Sequence, residues 1–316
     1  MPAPFFDRLT EYGSAARLRA HAGMLLWALL VGLSFPAVGL LGSDLPPLWL
    51  TALRFAIAAL VLLPLLQRRA GWPSARGWLL YLVLGSSLGA FFAIMFWAAH
   101  RISSLSMAVL FVSVPLLAYG LGRGFGVERP APRLLSCLLL GALGALGLAW
   151  AESRGNGQAL RPGFGELLFF IGCLCSALYP VLSKWGLERG WLHDASVPRA
   201  FWSLSLGALA SAALGAGLET STQLSRLGGQ EMLVLVYLGI LSTSATFWLQ
   251  QHATRLLTPG GITAYSYLVP FVAMLVLFSS HPQRLDWAWL PGSLLVLAAM
   301  GLLLREDLRA HPPLHN

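Results

Sequence analysis

The sequence predicts an all-α integral membrane protein of ten transmembrane helices, arranged as two inverted five-helix repeats. Of its 316 residues 57% are hydrophobic and only 11% are charged, whereas a soluble domain carries about 25% charged residues. Apolar runs of spanning length, about 17–25 residues, occur ten times. The two halves of the chain also carry matched motifs in the same order.

The ten apolar runs are separated by short connections rich in Pro, Gly and Arg. We predict spans at 22–41, 48–66, 78–98, 104–122, 134–150, 164–183, 200–218, 232–252, 260–279 and 287–304. The run 134–150 is short and the run 200–218 contains many Gly and Ala residues, so a nine-helix protein is the alternative. The predicted organisation is an N-terminal segment 1–21, a first five-helix unit 22–150, a second unit 164–304 and a tail 305–316.

The basic residues favour ten spans and fix the orientation. With the N-terminus inside, 15 of the 21 Lys and Arg residues fall in inside segments, five fall in outside loops, and Arg54 lies within a span. Lys and Arg concentrate on the cytoplasmic side of membrane proteins, so both termini are predicted to be cytoplasmic. This bias also accounts for the net charge of +8, and nucleic acid is not a predicted partner.

Two thirteen-residue motifs indicate an internal repeat. The stretch "SSLSMAVLFVSVP" ends at Pro115 and "TPGGITAYSYLVP" ends at Pro270. Upstream of them, Leu84-Gly85 and Arg101 match Leu238-Gly239 and Arg255 at a constant offset of 154. Each copy contains an odd number of helices, so the second copy is inverted. Inverted repeats are typical of secondary transporters, which bind substrate at the repeat interface near mid-membrane.

Four stretches carry a family resemblance: "LPPLWLTALRFAIAALVLLP", "SMAVLFVSVPLLAYGLGRGFGVERPAP", "YLGILSTSATFWLQQHATR" and "AYSYLVPFVAML". From about Gly23 to Leu304 the chain resembles the ten-helix, EamA-type drug/metabolite transporters. The resemblance implies a central cavity lined mainly by helices 1, 3, 4, 6, 8 and 9. It also implies transport of small metabolites, often amino acids and often outward, across a bacterial inner membrane. One departure is that Glu128 follows helix 4, whereas "FSSHPQRLD" after helix 9 has no glutamate.

Arg54 is the charge that needs an explanation. It lies six residues into span 2, or roughly 9 Å at ~1.5 Å per residue, and a charge at the bilayer centre costs about 2.5–3.5 kcal/mol. One alternative is that Arg54 snorkels to the outer interface or pairs helices. The other is that it faces the cavity and binds a substrate carboxylate. Glu166 is a candidate partner across the repeat interface; its alternative is a first-turn acid favoured by the helix dipole.

The remaining candidates are polar, aromatic or proline residues within the spans. The candidate substrate-binding residues are Arg54, Ser34, Phe92, Trp97, Tyr179, Thr243, Trp248, Gln251, Tyr265 and Tyr267. The candidate coupling residues are Glu166, His100 and His252, and the candidate hinges are Pro36, Pro115, Pro180 and Pro270. Hydroxyl side chains in membrane helices often serve packing only, tryptophans often form an interfacial belt, and prolines can be tolerated kinks.

The predicted function is a bacterial inner-membrane secondary transporter that exports or exchanges small metabolites such as amino acids by alternating access. No intramembrane catalytic constellation is present in the sequence, so an enzyme is not predicted. No cysteine or histidine cluster has metal-ligand spacing, and no metal or cofactor is predicted.

The alternatives are transport of drugs, amines or phosphorylated metabolites, or a non-transport membrane protein. Because no carboxylate lies mid-membrane, we predict downhill facilitation or exchange. The predicted partners are a small-molecule substrate and the lipid bilayer, and both a monomer and a homodimer are compatible.

Overall fold

The computed structural model describes residues 14–42, 44–66, 71–99, 101–156, 163–220, 224–225, 227–280 and 287–310. These residues form ten helices that are each long and apolar enough to cross a membrane, and no strand occurs within the described ranges. The predicted ten-helix, all-α class is therefore confirmed, and the nine-helix alternative is wrong.

We number the helices α1 to α10 in chain order. Six are uninterrupted: α1 Ser14–Val38, α3 Ala75–Ala98, α5 Pro132–Asn156, α6 Phe164–Glu188, α7 Ser196–Leu218 and α10 Trp289–Ala310. Helix α2, Pro47–Leu62, ends in the 3-10 turn Leu63–Leu65. The other three helices are composite. Helix α4 has two segments, Ser104–Phe111 and Val114–Gly124. Helix α8 comprises Gly229–Gly239, the π-helical Ile240–Ala245 and Thr246–Ala253, and α9 comprises Pro259–Ala264, the 3-10 turn Tyr265–Tyr267 and Leu268–Ser280.

Helices α4 and α9 are interrupted at corresponding points of the two repeats. Residues 112–113 separate the segments of α4, and the 3-10 turn 265–267 interrupts α9. Pro115 and Pro270 follow these breaks within three residues, in the first turn of the next segment, where the missing N–H is tolerated. Pro180, by contrast, lies inside the uninterrupted α6, and α1 continues through position 36 to Val38.

The first and last helices extend beyond the predicted apolar spans. Helix α1 begins at Ser14 rather than at residue 22, and α10 ends at Ala310 rather than at residue 304. An ion pair between the buried Arg17 and the partly buried Asp307 explains the extension: Arg17 Nη1 donates to both carboxylate oxygens of Asp307, at 3.2 and 3.1 Å. His21 Nε2 lies 3.0 Å from the same carboxylate. Polar residues at the end of the predicted N-terminal segment 1–21 and at the start of the predicted tail 305–316 thus belong to α1 and α10.

Glycine lets helices of different repeats approach closely. A Cβ added at Gly85 of α3 would collide with backbone atoms of Gly207 and Ser203 on α7. A Cβ at Gly144 of α5 would lie 2.7 Å from the backbone nitrogen of Val296 on α10. Small residues at helix contacts allow van der Waals packing of whole backbones, which is a main source of helix association in lipid.

Candidate functional site

The two ends of the bundle differ. Ten crossings return the chain to its starting side, so α1 begins and α10 ends at the same end, which we call the terminal end. A cavity of about 470 Å³ opens at the other end, which we call the opposite end. The cavity is surrounded by the α1–α2 connection, the first turn of α2 and the ends of α3 and α7, and Leu50 and Phe96 are among its buried lining residues.

The rim of the cavity carries charges of both signs, from Asp44, Arg101 and Glu219. The Glu219 carboxylate accepts hydrogen bonds from the backbone amides of Leu48, at 2.9 and 3.1 Å, and Trp49, at 3.1 Å. It thereby satisfies orphan N–H groups at the start of α2. Arg101 is exposed in the turn after α3, and its guanidinium carbon lies 4.8 Å from the ring centroid of Trp97.

Arg54 lies one helical turn deeper than Leu50 on the same face of α2. Its side chain is 1% exposed. The Nε donates to Thr243 Oγ1 at 2.6 Å, and Nη2 donates to Ser242 Oγ at 2.8 Å. The third nitrogen, Nη1, is buried and has no hydrogen-bond partner among the described residues. A buried donor without a partner is costly, so this nitrogen marks a position where an acceptor would be stabilising.

The surroundings of Arg54 come from two other helices, α3 and α8. The guanidinium carbon lies 4.3 Å from the centroid of the Phe92 ring on α3, a distance at which cation–π attraction operates. Ser242 and Thr243 belong to the π-helical segment of α8, and π-bulges occur frequently at functional sites. The structure thus brings together three residues that the sequence analysis selected, Arg54, Phe92 and Thr243.

Aromatic rings fill the interior between Arg54 and the terminal end. Phe92 packs edge-on against Phe55 at 5.5 Å and against Phe247 at 6.1 Å. Phe247 in turn packs edge-on against Tyr179 at 5.3 Å. The resemblance implied a cavity lined mainly by helices 1, 3, 4, 6, 8 and 9. In this structure rings from α2, α3, α6 and α8 occupy this part of the interior, and the cavity lies nearer the opposite end.

A polar network centred on Gln251 lies beyond these rings. Gln251 is fully buried, and its Nε2 donates to the Tyr179 hydroxyl at 2.7 Å and to Ser183 Oγ at 2.9 Å. Its Oε1 accepts from Arg199 Nε at 2.8 Å. Tyr179 and Gln251, both candidate substrate-binding residues, therefore already bind each other and tie α6, α7 and α8 together in this conformation.

Two buried cations cap the C-terminal end of α8. Arg199 donates to the carbonyl of Gln251 and, with Nη1, to the carbonyls of His193 and Asp194 at 2.7 and 2.5 Å. Lys184 Nζ donates to the carbonyl of Thr254 at 2.9 Å. The last carbonyls of a helix have no partner in the helix and carry partial negative charge. Sequence reasoning missed both cations as buried groups because they lie near helix ends, where basic residues are expected at the interface.

Glu128 connects the exit of α4 to the start of α9. The side chain is 5% exposed, and its Oε2 accepts from the Gly260 backbone amide at 2.9 Å. Burial raises the pKa of Glu128 to about 7, and the hydrogen bonds from Gly260 and Thr258 and the charge of Lys184 only partly oppose this shift. The sequence signal was present, because Glu128 lies in one of the family-like stretches, but its contact with α9 was not predictable from it.

A sequence model described as the EamA-like transporter family matches residues 18–150 and again residues 163–305. The chain belongs to the EamA-like transporter family. It is therefore a membrane transporter of the drug/metabolite type with a two-repeat architecture. A solved structure titled "Crystal structure of protein" is similar, with a TM-score of 0.72 and 22% identity over 95% of this chain and 100% of that chain. At this identity the likeness supports the fold alone. The comparison with curated proteins gave no match.

Three other candidate residues of this EamA-like transporter lie in α1 and α9. The Ser34 hydroxyl donates to the carbonyl of Val31 in its own helix, at 2.6 Å. The Tyr265 hydroxyl lies 2.6 Å from His21 Nδ1, within the Arg17–Asp307 cluster at the terminal end. Tyr267 is buried against Gly141 of α5, and its hydroxyl has no partner among the described residues. None of the three lines the cavity at the opposite end.

Two candidate residues on α8 lie on an exposed face. Trp248 is 40% exposed and His252 is exposed, and their rings lie 6.3 Å apart. They share this face of α8 with the exposed apolar residues Ile240 and Leu241. Thr243 and Gln251 point to the buried side. This placement argues against Trp248 as a lining residue and against His252 as a coupling group, because the exposed apolar face of a spanning helix contacts lipid.

Glu166 does not pair with Arg54 in this structure. It is half-buried in the first turn of α6, which packs mainly against α3, α4 and α9, whereas α2 packs mainly against α3, α7 and α8. Arg54 instead binds α8, which agrees with helix pairing and not with snorkelling. Trp97 is half-buried at the end of α3 near the start of α6. His100 lies outside the described residues.

Proposed function

We propose that this transporter exports or exchanges small zwitterionic metabolites such as amino acids across a bacterial inner membrane, with both termini cytoplasmic. The observation that carries the proposal is that the buried Arg54 Nη1 has no hydrogen-bond partner among the described residues. Nε and Nη2 are held by α8, so the guanidinium is fixed in orientation and keeps one N–H₂ group for an incoming acceptor. A carboxylate is a strong acceptor for such a group.

The route to Arg54 starts at the cavity of the opposite end. Leu50 lies one turn above Arg54 on α2, and Phe96 lies one turn above Phe92 on α3. Displacement of these two apolar side chains would open the cavity onto the guanidinium. The Gln251 network and the capped end of α8 close the terminal end. In the proposed topology this is a conformation that opens outward and is closed to the cytoplasm.

The buried cationic side chains among the described residues favour a substrate with a single carboxylate. A phosphorylated metabolite requires several available cations. Arg199 and Lys184 are also buried, but both donate to backbone carbonyls at the end of α8. The aromatic rings of Phe92 and Phe55 beside Arg54 provide an apolar surface for the remainder of the substrate.

A paired-substrate flux experiment tests the proposal. Purified protein in proteoliposomes is offered labelled amino acids, each paired with the amine obtained by removing its carboxylate. We expect flux of at least one amino acid and much slower flux of its paired amine, because only the amino acid can bind Arg54. Equal flux of both members of every pair, or no flux of any amino acid, would contradict the proposal.

We further propose downhill facilitation or exchange without a central coupling carboxylate. Glu166 lies at the start of α6 and His252 lies on the exposed face of α8. Flux measured with and without an imposed pH gradient tests this proposal. Uphill accumulation that depends on the gradient and disappears in Glu166→Gln would make Glu166 the coupling site.

A further inference from the structure

A cluster of arginine and tryptophan lies at the terminal end, apart from the proposed substrate route. We call it the basic–aromatic patch and define it as Arg76, Trp185, Arg189 and Trp191. The Arg189 guanidinium carbon lies 4.3 Å from the ring centroid of Trp185 and 5.5 Å from that of Trp191. The Arg76 guanidinium carbon also lies 5.5 Å from the Trp191 centroid. The two indoles pack edge-on at 4.9 Å.

This arrangement brings two available guanidinium groups together. Each lies 5.5 Å from the same ring centroid, so the two guanidinium carbons are no more than 11 Å apart, twice that distance. Both arginines are exposed. Within the described part of the chain, the guanidinium of neither arginine donates a hydrogen bond, and neither forms an ion pair with a carboxylate. A guanidinium held over a ring by cation–π attraction keeps its N–H groups available, and a guanidinium with available N–H groups can bind phosphate.

An exposed apolar stripe continues from the patch along α3. Arg76, Leu79 and Val83 follow each other at spacings of three and four residues and share one helix face. Leu79 is 66% exposed and Val83 is 43% exposed. Trp72, which precedes α3, is 79% exposed and stacks on Trp78 at 6.1 Å. Tryptophan at the end of a spanning helix marks the level of the lipid headgroups.

We propose that the basic–aromatic patch binds the phosphate of an anionic phospholipid, with an acyl chain lying along Leu79 and Val83. The charges of Arg76 and Arg189 select an anionic headgroup, as basic pockets at the ends of spanning helices do. The apolar stripe selects a lipid over a free anion. This site is independent of the proposed substrate route, because neither arginine lines the cavity or contacts Arg54.

Lipid binding to the purified full-length protein tests the inference. Phosphatidylglycerol, phosphatidylcholine of the same chain length, or inorganic phosphate is added in detergent. The Tm and the number of lipids retained in native mass spectrometry are measured. We expect phosphatidylglycerol to be retained and to raise the Tm, with no comparable effect of the other two. In Arg76→Gln/Arg189→Gln the affinity for phosphatidylglycerol should fall about fivefold per arginine.

The matched control is Arg19→Gln/Arg305→Gln, which removes two exposed arginines at the same end, on α1 and α10. It should keep the phosphatidylglycerol effect. The proposal is overturned if the patch variant binds this lipid as well as the unchanged protein, or if the control loses as much binding. An equal effect of phosphatidylcholine or of inorganic phosphate also overturns it. The single variant Arg189→Gln gives the same comparison if the double variant does not fold.

Discussion

At the scale of single residues, Arg54 shows how a charge is accommodated in an apolar helix with no carboxylate bound to it among the described residues. Two of its three nitrogens bind oxygen atoms of Ser242 and Thr243, and its face rests on Phe92. These contacts replace part of the hydration that burial removes. The remaining nitrogen has no acceptor among the described residues, and the proposed ligand-binding role of Arg54 rests on this feature.

Substitution of Arg54 should separate these two roles. Arg54→Leu should fold and lower the apparent substrate affinity about 10- to 100-fold, the range for a hydrogen bond to a charged group. Arg54→Lys should recover only part of the loss, since lysine lacks the planar fork. The measurement is concentration-dependent flux in proteoliposomes, with the exposed Arg19→Leu as the control. Flux of Arg54→Leu equal to that of the unchanged protein would leave Arg54 with a helix-pairing role only.

The second prediction for a single residue concerns the effect of Glu128 on thermal stability. Its folded pKa of about 7 lies above the ordinary value of 4.5. The contribution of Glu128 to the free energy of unfolding is therefore complete below about pH 4.5 and is lost as the pH rises through 7. The size of this effect is on the order of 1–3 kcal/mol. The Tm of the unchanged protein should decrease between pH 5 and pH 8. Glu128→Gln keeps an acceptor for the Gly260 amide and should show a flatter profile.

The control for this prediction is Glu231→Gln, a carboxylate removed from the first turn of α8 at the opposite end. It should keep the pH profile of the unchanged protein. Thermal unfolding followed by tryptophan fluorescence at pH 5, 6, 7 and 8 measures all three proteins. Parallel profiles for Glu128→Gln and the unchanged protein would show that Glu128 does not titrate in this range.

At the scale of elements, irregular backbone occurs where helices of the two repeats must bend or bind. The breaks in α4 and α9 precede Pro115 and Pro270, and the π-helical segment of α8 presents Ser242 and Thr243 to Arg54. Backbone groups released from a helix in a membrane must find other partners. Matched breaks in inverted repeats are suited to a bending role during transport.

Helix contact through glycine gives the prediction at this scale. Gly85→Ala places a Cβ against the backbone of α7 and should destabilise the protein by about 1–3 kcal/mol, the range for overpacking. Gly120→Ala on α4, where nothing lies within 4 Å of the added Cβ, should be neutral or slightly stabilising because alanine favours helix. The Tm in detergent compares the two variants. A Gly85→Ala protein as stable as Gly120→Ala would mean that α3 and α7 separate at little cost.

At the scale of the whole molecule, the bundle is asymmetric between its ends. The opposite end has a cavity whose rim carries Asp44, Arg101 and Glu219, whereas the terminal end has Glu128 bound to α9 and the end of α8 capped by Lys184 and Arg199. This asymmetry supports the proposed alternating-access mechanism, in which each state is accessible from one side.

The proposed orientation can be tested with cysteine labelling. In a variant that lacks Cys137, Cys173 and Cys175, Asp44→Cys should react with an impermeant probe added to intact cells. Ala75→Cys, at the exposed start of α3, should react only after permeabilisation. Both side chains are exposed, so burial does not explain a difference between them. The reverse pattern would invert the topology and would make the cavity face the cytoplasm.

The sequence by itself determined the membrane class, the ten helices, the repeat and the family. Each follows from properties of contiguous residues: the length of an apolar run, the spacing of two Val-Pro motifs and the order of four stretches. It also selected Arg54, Phe92 and Thr243 as candidates, because charge and aromatic character in an apolar run are visible without neighbours.

Only the tertiary structure decided which of these residues meet. Hydropathy does not encode which helices are adjacent, so Glu166 was a reasonable partner for Arg54 until α2 was found against α8 and not against α6. For the same reason the sequence predicted Arg199 and Lys184 to be interfacial charges, although their partners are carbonyls at the end of α8. The polar stretch around Gln251 became a closed network because three helices converge there. Contacts between residues distant in the chain depend on packing, and packing is a property of the assembled bundle.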